Sequence, residues 1–401
     1  MSIEARSPPP QFAFRLKRAL GGGAGWSGFA LQIVFVLILI WVGYEIFTNA
    51  RTNLENQRIA SGFGFLNNTA GFDVSQSLIP YSGSNTYTQV FLVGFFNTIL
   101  VAVLGIFFAT LIGFIVALGR LSPNWLISRI AGGYVELVRN LPLLFQMLFW
   151  YLAVLAALPG PRQSISLFGM SYLSNRGLIV PRPIGEAGFE PFVIALLVAI
   201  VASIILRHYA RRQLFQYGKV IRIWPYVLGV LIGLPLLTAL VFGMPLKVEL
   251  PVLKGFNFAG GVRVIPELVA LLLALSIYTA AFIAEIVRAG IMAVHKGQME
   301  AGLSLGLGRG SVLRLVVIPQ AMRVILPPLT NQYLNLTKNS SLAVAIGYPD
   351  LFSVFAGTAL SQTGQAIEII AITMGVYLAL SLFTSAIMSF YNWRLSRSLG
   401  T

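Results

Sequence analysis

Most of the groups that could do chemistry in this chain sit in three kinds of place. Residues 299–320, MEAGLSLGLGRGSVLRLVVIPQ, bring Glu300, Ala301, Gly302, Gly306, Arg309 and Pro319 into a run with four glycines and two arginines. That mixture suits a rigid exposed handle. Residues 298–305 are good helix formers, Gly306, Gly308 and Gly310 allow conformations closed to other residues, and Ser311 is placed to cap a second helix that Pro319 ends. On physics alone, a handle for a partner's groove and a basic loop on lipid headgroups stand level. A second stretch, LTKNSSLA at 336–343, sets Lys338, Asn339 and Ser340 close to Gln332 inside an apolar run. An ammonium there is a natural mate for a ligand carboxylate, a contact that gives about 1.5 to 3 kcal/mol, and the other reading is that Lys338 anchors a neighbouring helix. The third kind is an acid and a base three residues apart on one helix face: Glu285 with Arg288, and Glu136 with Arg139. Pairing within the helix or snorkelling explains both better than ligand contact. Pro142, three residues after Arg139, suggests a break that could act as a hinge.

Nothing else offers a constellation. His208 and His295 stand alone in basic loops, where a solvated imidazole is the better reading than a metal ligand. No G-x-x-x-x-G-K-[ST] occurs, and the glycine runs at Gly21 and Gly306 follow no strand and supply no phosphate-reaching lysine. The absence of cysteine removes disulfides and thiolate metal sites. No catalytic residue, metal or bound cofactor is expected.

The elements that must position these residues are membrane helices. The chain is 57% hydrophobic and 10% charged, with a mean hydropathy of +0.80, against about 25% charged residues in an ordinary soluble domain. Apolar runs centre on 29–44, 90–118, 141–158, 192–206, 223–246, 268–293, 324–346 and 369–393, each close to the length a bilayer demands. The expected fold is all-α and integral to the membrane, with about eight transmembrane helices. Placing the N-terminus, 119–139, 207–222, 288–323 and the C-terminus on one side gives that side nineteen basic residues and three acids, against eight basic residues and nine acids opposite. The positive-inside rule then makes it cytoplasmic. The formal net charge of +15 is therefore a topology signal and an attraction to anionic lipid, not a sign of nucleic acid. Residues 1–28 read as a cytoplasmic arm, the apolar run after it being too long for a cleaved signal. The outer stretches at 49–88, 160–191 and 247–266 read as linkers or a small surface cap.

Here the sequence resembles a known family. Glu300, Ala301, Gly306 and Pro319 match the EAA motif of ABC importer permeases, E-A-A-x3-G-x9-I-x-L-P, with mild departures at Gly302, Val316 and Ile318. The blocks GFFNTILVAVLG (94–105), YVELVRNLPLLFQMLFWY (134–151), YTAAFIAEIVRAGIMAVHKGQMEAG (278–302) and PQAMRVILPPLTNQYLNLTKNSSLA (319–343) are similar to the polar amino-acid uptake branch. The likeness covers 90–394 apart from 160–266, as in the larger permease subunit of general L-amino-acid transport systems.

That resemblance implies a five-helix type I importer core with three added helices. Its division is a cytoplasmic arm at 1–28, an added first helix at 29–48, a periplasmic loop at 49–89, the permease domain at 90–394 with an inserted helix pair within 160–266, and a cytoplasmic tail at 395–401. It implies a bacterial inner membrane, an ABC ATPase subunit dimer that binds the ATP, a second homologous permease and a periplasmic amino-acid-binding protein. Glu300, Ala301, Gly302, Gly306, Arg309 and Pro319 become the residues coupling to the ATPase. Lys338, Asn339, Ser340 and Gln332 become substrate-binding candidates for an L-amino acid. Family members specific for basic residues commonly carry K-D-[ST]-S-L at this place, so Asn339 implies a weaker preference for cationic side chains and a broad range. The alternatives are an ion-coupled secondary amino-acid transporter, which needs carboxylates deep in the spans, where only Glu285 is expected, and a membrane transferase, which needs acidic metal-binding pairs.

Overall fold

In the computed structural model, residues 26–56, 62–186, 188–219 and 221–398 are described. Most of the arm at 1–28, part of the loop at 49–89 and the end of the tail at 395–401 lie outside them. In chain order the helices are α1 Trp26–Asn56, α2 Tyr87–Arg120, α3 Trp125–Asn140, α4 Leu143–Leu148, α5 Phe189–Tyr217, α6 Trp224–Phe242, α7 Pro266–Met292, α8 Lys296–Ser304, α9 Arg309–Val312, α10 Ile318–Asn339, α11 Leu360–Thr363 and α12 Ala366–Ser398. Among the described residues, seven helical stretches are long and apolar enough to cross a membrane, or eight if α3 and α4 form one bent span.

The core forms where α2, α7 and α10 approach most closely. Lipid is as apolar as leucine, so helices in a bilayer associate through tight backbone packing at small residues. Gly113 of α2 meets Ile283 of α7 so closely that an added Cβ would lie 2.7 Å from the Ile283 Cβ. Gly290 of α7 does the same for α10, where the Ile325 Cγ1 would be 2.3 Å away. Ala109, Ala117, Ala284, Ala321 and Leu336 fill the seam between these contacts.

Gly94 near the N-terminal end of α2 meets backbone instead. An added Cβ would stand 2.7 Å from the Leu351 Cα, so no side-chain rotation can relieve it. Gly94→Ala is expected to destabilise the protein by about 1–3 kcal/mol, the range for overpacking, and a thermal unfolding midpoint in detergent equal to wild type would contradict this.

The third crossing takes in the helix before the apolar run at 141–158 and breaks at Pro142, where the sequence suggests a break. It is a bent pair: α3 packs Ala131, Val135 and Val138 inward, and the chain then turns by 105° at the break before α4. Leu141 and Pro142 make this break, both extended. Proline disfavours helix in the residue before it and has no N–H of its own to donate. Beyond α4 the helix widens into a π turn, Phe149–Leu155.

The stretches at 160–191 and 247–266 form a β cap that local sequence does not reveal. β1 Ile165–Leu167, β2 Ser171–Ser174, β3 Gly177–Val180 and β8 Val262–Val264 make one antiparallel sheet. β4 Arg182–Gly185 pairs with β5 Leu246–Glu249, and β6 Val252–Lys254 with β7 Asn257–Ala259. The β3–β8 register, Leu178↔Val264 to Val180↔Val262, ties the inserted segment to the start of α7. The hairpin β1–β2 turns on Phe168 and Gly169, with φ of 56° and 71°, the left-handed pair that a tight hairpin favours. Below the cap, α5 and α6 pack on one another, and the described side chains of α1 are exposed.

Candidate functional site

The elbow between α7 and α10 is built to hold its shape. His295 begins α8, its Nδ1 accepting the Gly297 N–H at 3.1 Å. At the far end Gly306 takes a φ of +79°, a conformation that costs other residues roughly 1–2 kcal/mol. Its N–H reaches the Leu303 carbonyl at 2.9 Å and the Leu307 N–H reaches Gly302 at 3.3 Å. Gly302 is buried against Val312 of α9, where a Cβ would come within 2.9 Å of both Cγ atoms. The Gln320 Nε2 donates to the Gln298 Oε1 at 3.3 Å, fastening α8 to the start of α10. Glu300, Ala301, Gly306 and Arg309 remain exposed, and Leu305 projects at the tip with 81% of its surface open.

Two local expectations fail here. The second helix starts behind Gly308, not at Ser311. It also does not end at Pro319, but widens into a π turn at Leu313–Val317 and continues as α10, so that Arg309–Ile346 reads as one span. Such a wide turn lets a membrane helix absorb a proline without stranding its carbonyls.

Along α10, Val324, Pro327, Pro328, Asn331, Asn335 and Lys338 are exposed at helical spacing and form one face. The side chains of Asn331, Asn335 and Lys338 make no hydrogen bond or ion pair with other described residues, although the Lys338 carbonyl accepts the Ser341 hydroxyl at 2.8 Å. A polar face at bilayer depth is costly against lipid and turns toward a bundle interior or a water-filled path. At the C-terminal end of this face Lys338 lines a cavity of about 440 Å³ with Ser341, Phe352, Ala356, Met374 and Tyr377. The other substrate candidates are not brought there. Ser340 is buried, its hydroxyl donating to the Thr337 carbonyl at 2.8 Å, because the chain tightens into a 3₁₀ turn at Ser340–Ile346. Gln332 and Asn339 are half-buried and do not line the cavity, whereas Ser341, unremarked in the sequence, does.

The bundle thus carries an exposed elbow at one end and an exposed polar face along α10. Residues 109–397 match the family described as "Binding-protein-dependent transport system inner membrane component". The putative amino-acid ABC transporter permease protein YhdX of Escherichia coli is 53% identical over 365 residues, covering 91% of this chain and 93% of its own. The general L-amino acid transport system permease protein AapQ of Rhizobium johnstonii is 50% identical over 385 residues, covering 93% and 96%. The chain belongs to this family. A solved structure titled as an amino acid ABC transporter with histidines aligns over 77% of this chain and 95% of its own, at 24% identity and a TM-score of 0.46.

In this transport component the intramembrane charges are arranged more broadly than their spacing suggests. Glu285 does meet Arg288, whose Nε lies 3.2 Å from each carboxylate oxygen. It also takes Arg120 from the C-terminal end of α2, so one carboxylate between two guanidinium groups clamps two helices. Glu136 and Arg139 do not pair. Both are on the exposed face of α3, and the Arg139 guanidinium lies 5.0 Å from the Phe282 ring centroid on α7. An aromatic face holds a guanidinium there without desolvating a carboxylate.

Sequence reasoning missed the polar joint beside the cavity. Asp350, counted among the outer-side acids, is fully buried. Its Oδ1 accepts the Ser353 N–H at 2.8 Å and its Oδ2 the Tyr377 hydroxyl at 3.1 Å. Tyr377 in turn lines the cavity. From α2, the Asn97 Nδ2 donates to the Pro349 carbonyl at 2.8 Å and the Gln76 carbonyl at 2.9 Å, while the Thr98 hydroxyl accepts the Leu351 N–H at 3.0 Å. The signals were an asparagine inside GFFNTIL and an aspartate just ahead of an apolar run, the place of a helix cap. Among the described residues no group of three His, Cys, Asp or Glu is placed to hold a metal.

Proposed function

We propose that this chain is the permease subunit of an ATP-driven, binding-protein-dependent importer of L-amino acids with a broad range. The observation that carries the reading is the elbow α8–α9: a short helix pair fixed at both ends to α7 and α10, with Glu300, Leu305 and Arg309 offered outward. An ATPase pair on the cytoplasmic side would seat this elbow in a groove and move α7 and α10 together. The termini are then cytoplasmic, and the β cap faces the binding protein. The core is α2, α3 with α4, α7, α10 and α12, with α1 and the α5–α6 pair as additions. A second, homologous permease covers the polar face of α10, so that Asn331, Asn335 and Lys338 border the path between the two. Reconstituting the chain with its companions and measuring uptake tests this: accumulation without a hydrolysing partner would sink it.

Within that path Lys338 binds the substrate carboxylate at one end of the apolar cavity, and the uncharged Asn339 beside it removes a reason to select cationic side chains. Lys338→Ala is expected to raise the KM for uptake about tenfold or more, since the lost contact gives about 1.5 to 3 kcal/mol. An unchanged KM in an intact assembly would count against this role.

A further inference from the structure

The turn from α5 to α6 carries a cluster of charge that the transport reading leaves unused. We propose that the cavity at this turn holds the phosphate headgroup of an anionic glycerophospholipid. The inference needs only that α5 and α6 cross the bilayer and is independent of what the chain carries.

The cavity, of about 380 Å³, is lined by Arg207, Ala210, Arg211, Leu214, Trp224 and Val227 among others. Arg207 and Arg211 are four apart on α5 and so share one face. Among the described residues neither is paired with a carboxylate, and residues 206–226 contain no acid at all. The Arg207 guanidinium stands 5.9 Å from the Trp224 ring centroid, which orients it toward the space between the helices. The end of α5 is fixed: Gly218 takes a φ of 65° and closes the helix, its N–H bonded to Leu214 at 3.1 Å and that of Lys219 to Gln213 at 3.3 Å.

Two features choose a lipid over free phosphate. The cavity lies where the apolar run of α5 ends at Leu206, and exposed Tyr209, Tyr217, Trp224 and Tyr226 lie close to it in the sequence, the aromatic belt that marks a membrane interface. From that level the exposed faces of Ile204, Ile205, Leu228 and Ile232 continue along both helices, offering acyl chains an apolar wall. The charge chooses an anionic lipid. Guanidinium forks match phosphate oxygens, and Arg212, Lys219 and Arg222 add further positive charge nearby, which disfavours the ammonium of a zwitterionic headgroup. Basic pockets between transmembrane helices bind such headgroups elsewhere.

The test is native mass spectrometry of the purified assembly from nanodiscs containing phosphatidylglycerol and phosphatidylethanolamine. Wild type is expected to retain phosphatidylglycerol, and the double variant Arg207→Gln, Arg211→Gln to lose it at least fivefold with phosphatidylethanolamine unchanged. Lys254→Gln on the distant β6 should leave both alone. Should the double variant fail to fold, Arg211→Gln alone is expected to lose at least half of the retained phosphatidylglycerol. Equal retention by wild type and variants would overturn the proposal. So would displacement of the lipid by millimolar inorganic phosphate, which would make this a free-anion site. An assembly that does not import amino acids but shows the selective loss would leave the lipid site standing.

Discussion

Glu300→Lys is expected to cut uptake roughly thirtyfold or more while leaving the chain inserted and assembled in the membrane. Glu300 lies on α8 six residues before Gly306, exposed, and makes no ion pair with another described residue. The Ser304 hydroxyl bonds to the Glu300 carbonyl oxygen at 2.9 Å and not to its carboxylate, so the charge is free for a partner. Removing one side of a buried interfacial charge pair costs about 2–5 kcal/mol, and reversing its sign adds repulsion. Because the side chain is exposed and unpaired among the described residues, the loss is expected to come from docking. Parallel measurement of uptake and ATP hydrolysis in vesicles checks this: hydrolysis should no longer respond to the binding protein, and Glu300→Gln should fall between. Gly306→Asp should uncouple by a second route, since a side chain is strained at a φ of +79° and the elbow angle must change. Normal transport by either variant would remove the docking role.

Asp350→Ala is expected to destabilise the protein by about 3 kcal/mol or more. The carboxylate is buried beneath the cavity and accepts two hydrogen bonds, from the Ser353 N–H and the Tyr377 hydroxyl. Each buried donor left without a partner costs about 1–3 kcal/mol. Tyr377→Phe should cost less, about 1 kcal/mol, because it removes a donor and leaves the acceptor one remaining bond. The double variant should then be more stable than the sum of the two losses predicts, the sign of direct coupling. Unfolding midpoints in detergent read all three, and simple additivity would show that the two groups do not act together. Since Tyr377 lines the cavity, Tyr377→Phe should also raise the KM for uptake modestly at unchanged assembly.

The sequence by itself determined that this is a bundle of membrane helices, roughly how many there are, and where the elbow falls. Those properties are one-dimensional: a bilayer demands about 20 apolar residues per crossing, and Glu300, Gly306 and Pro319 carry a spacing that lies within one stretch of chain. The Glu285–Arg288 pair was legible for the same reason, being three residues apart on one helix. Only the tertiary structure decided what joins distant segments. Arg120 completes the Glu285 clamp from 165 residues away, β3 finds β8 across the inserted helices, and Asn97 and Thr98 hold the Pro349–Leu351 crossover from the other side of the chain. Asp350 looked like an outer-loop acid because hydropathy counts its neighbours along the chain, whereas its burial depends on α2 and α12 closing over it. The same limit explains Ser340 and Ser341. Adjacent hydroxyls look alike in sequence, and a 3₁₀ turn whose register is set by packing sends one into the core and the other into the cavity.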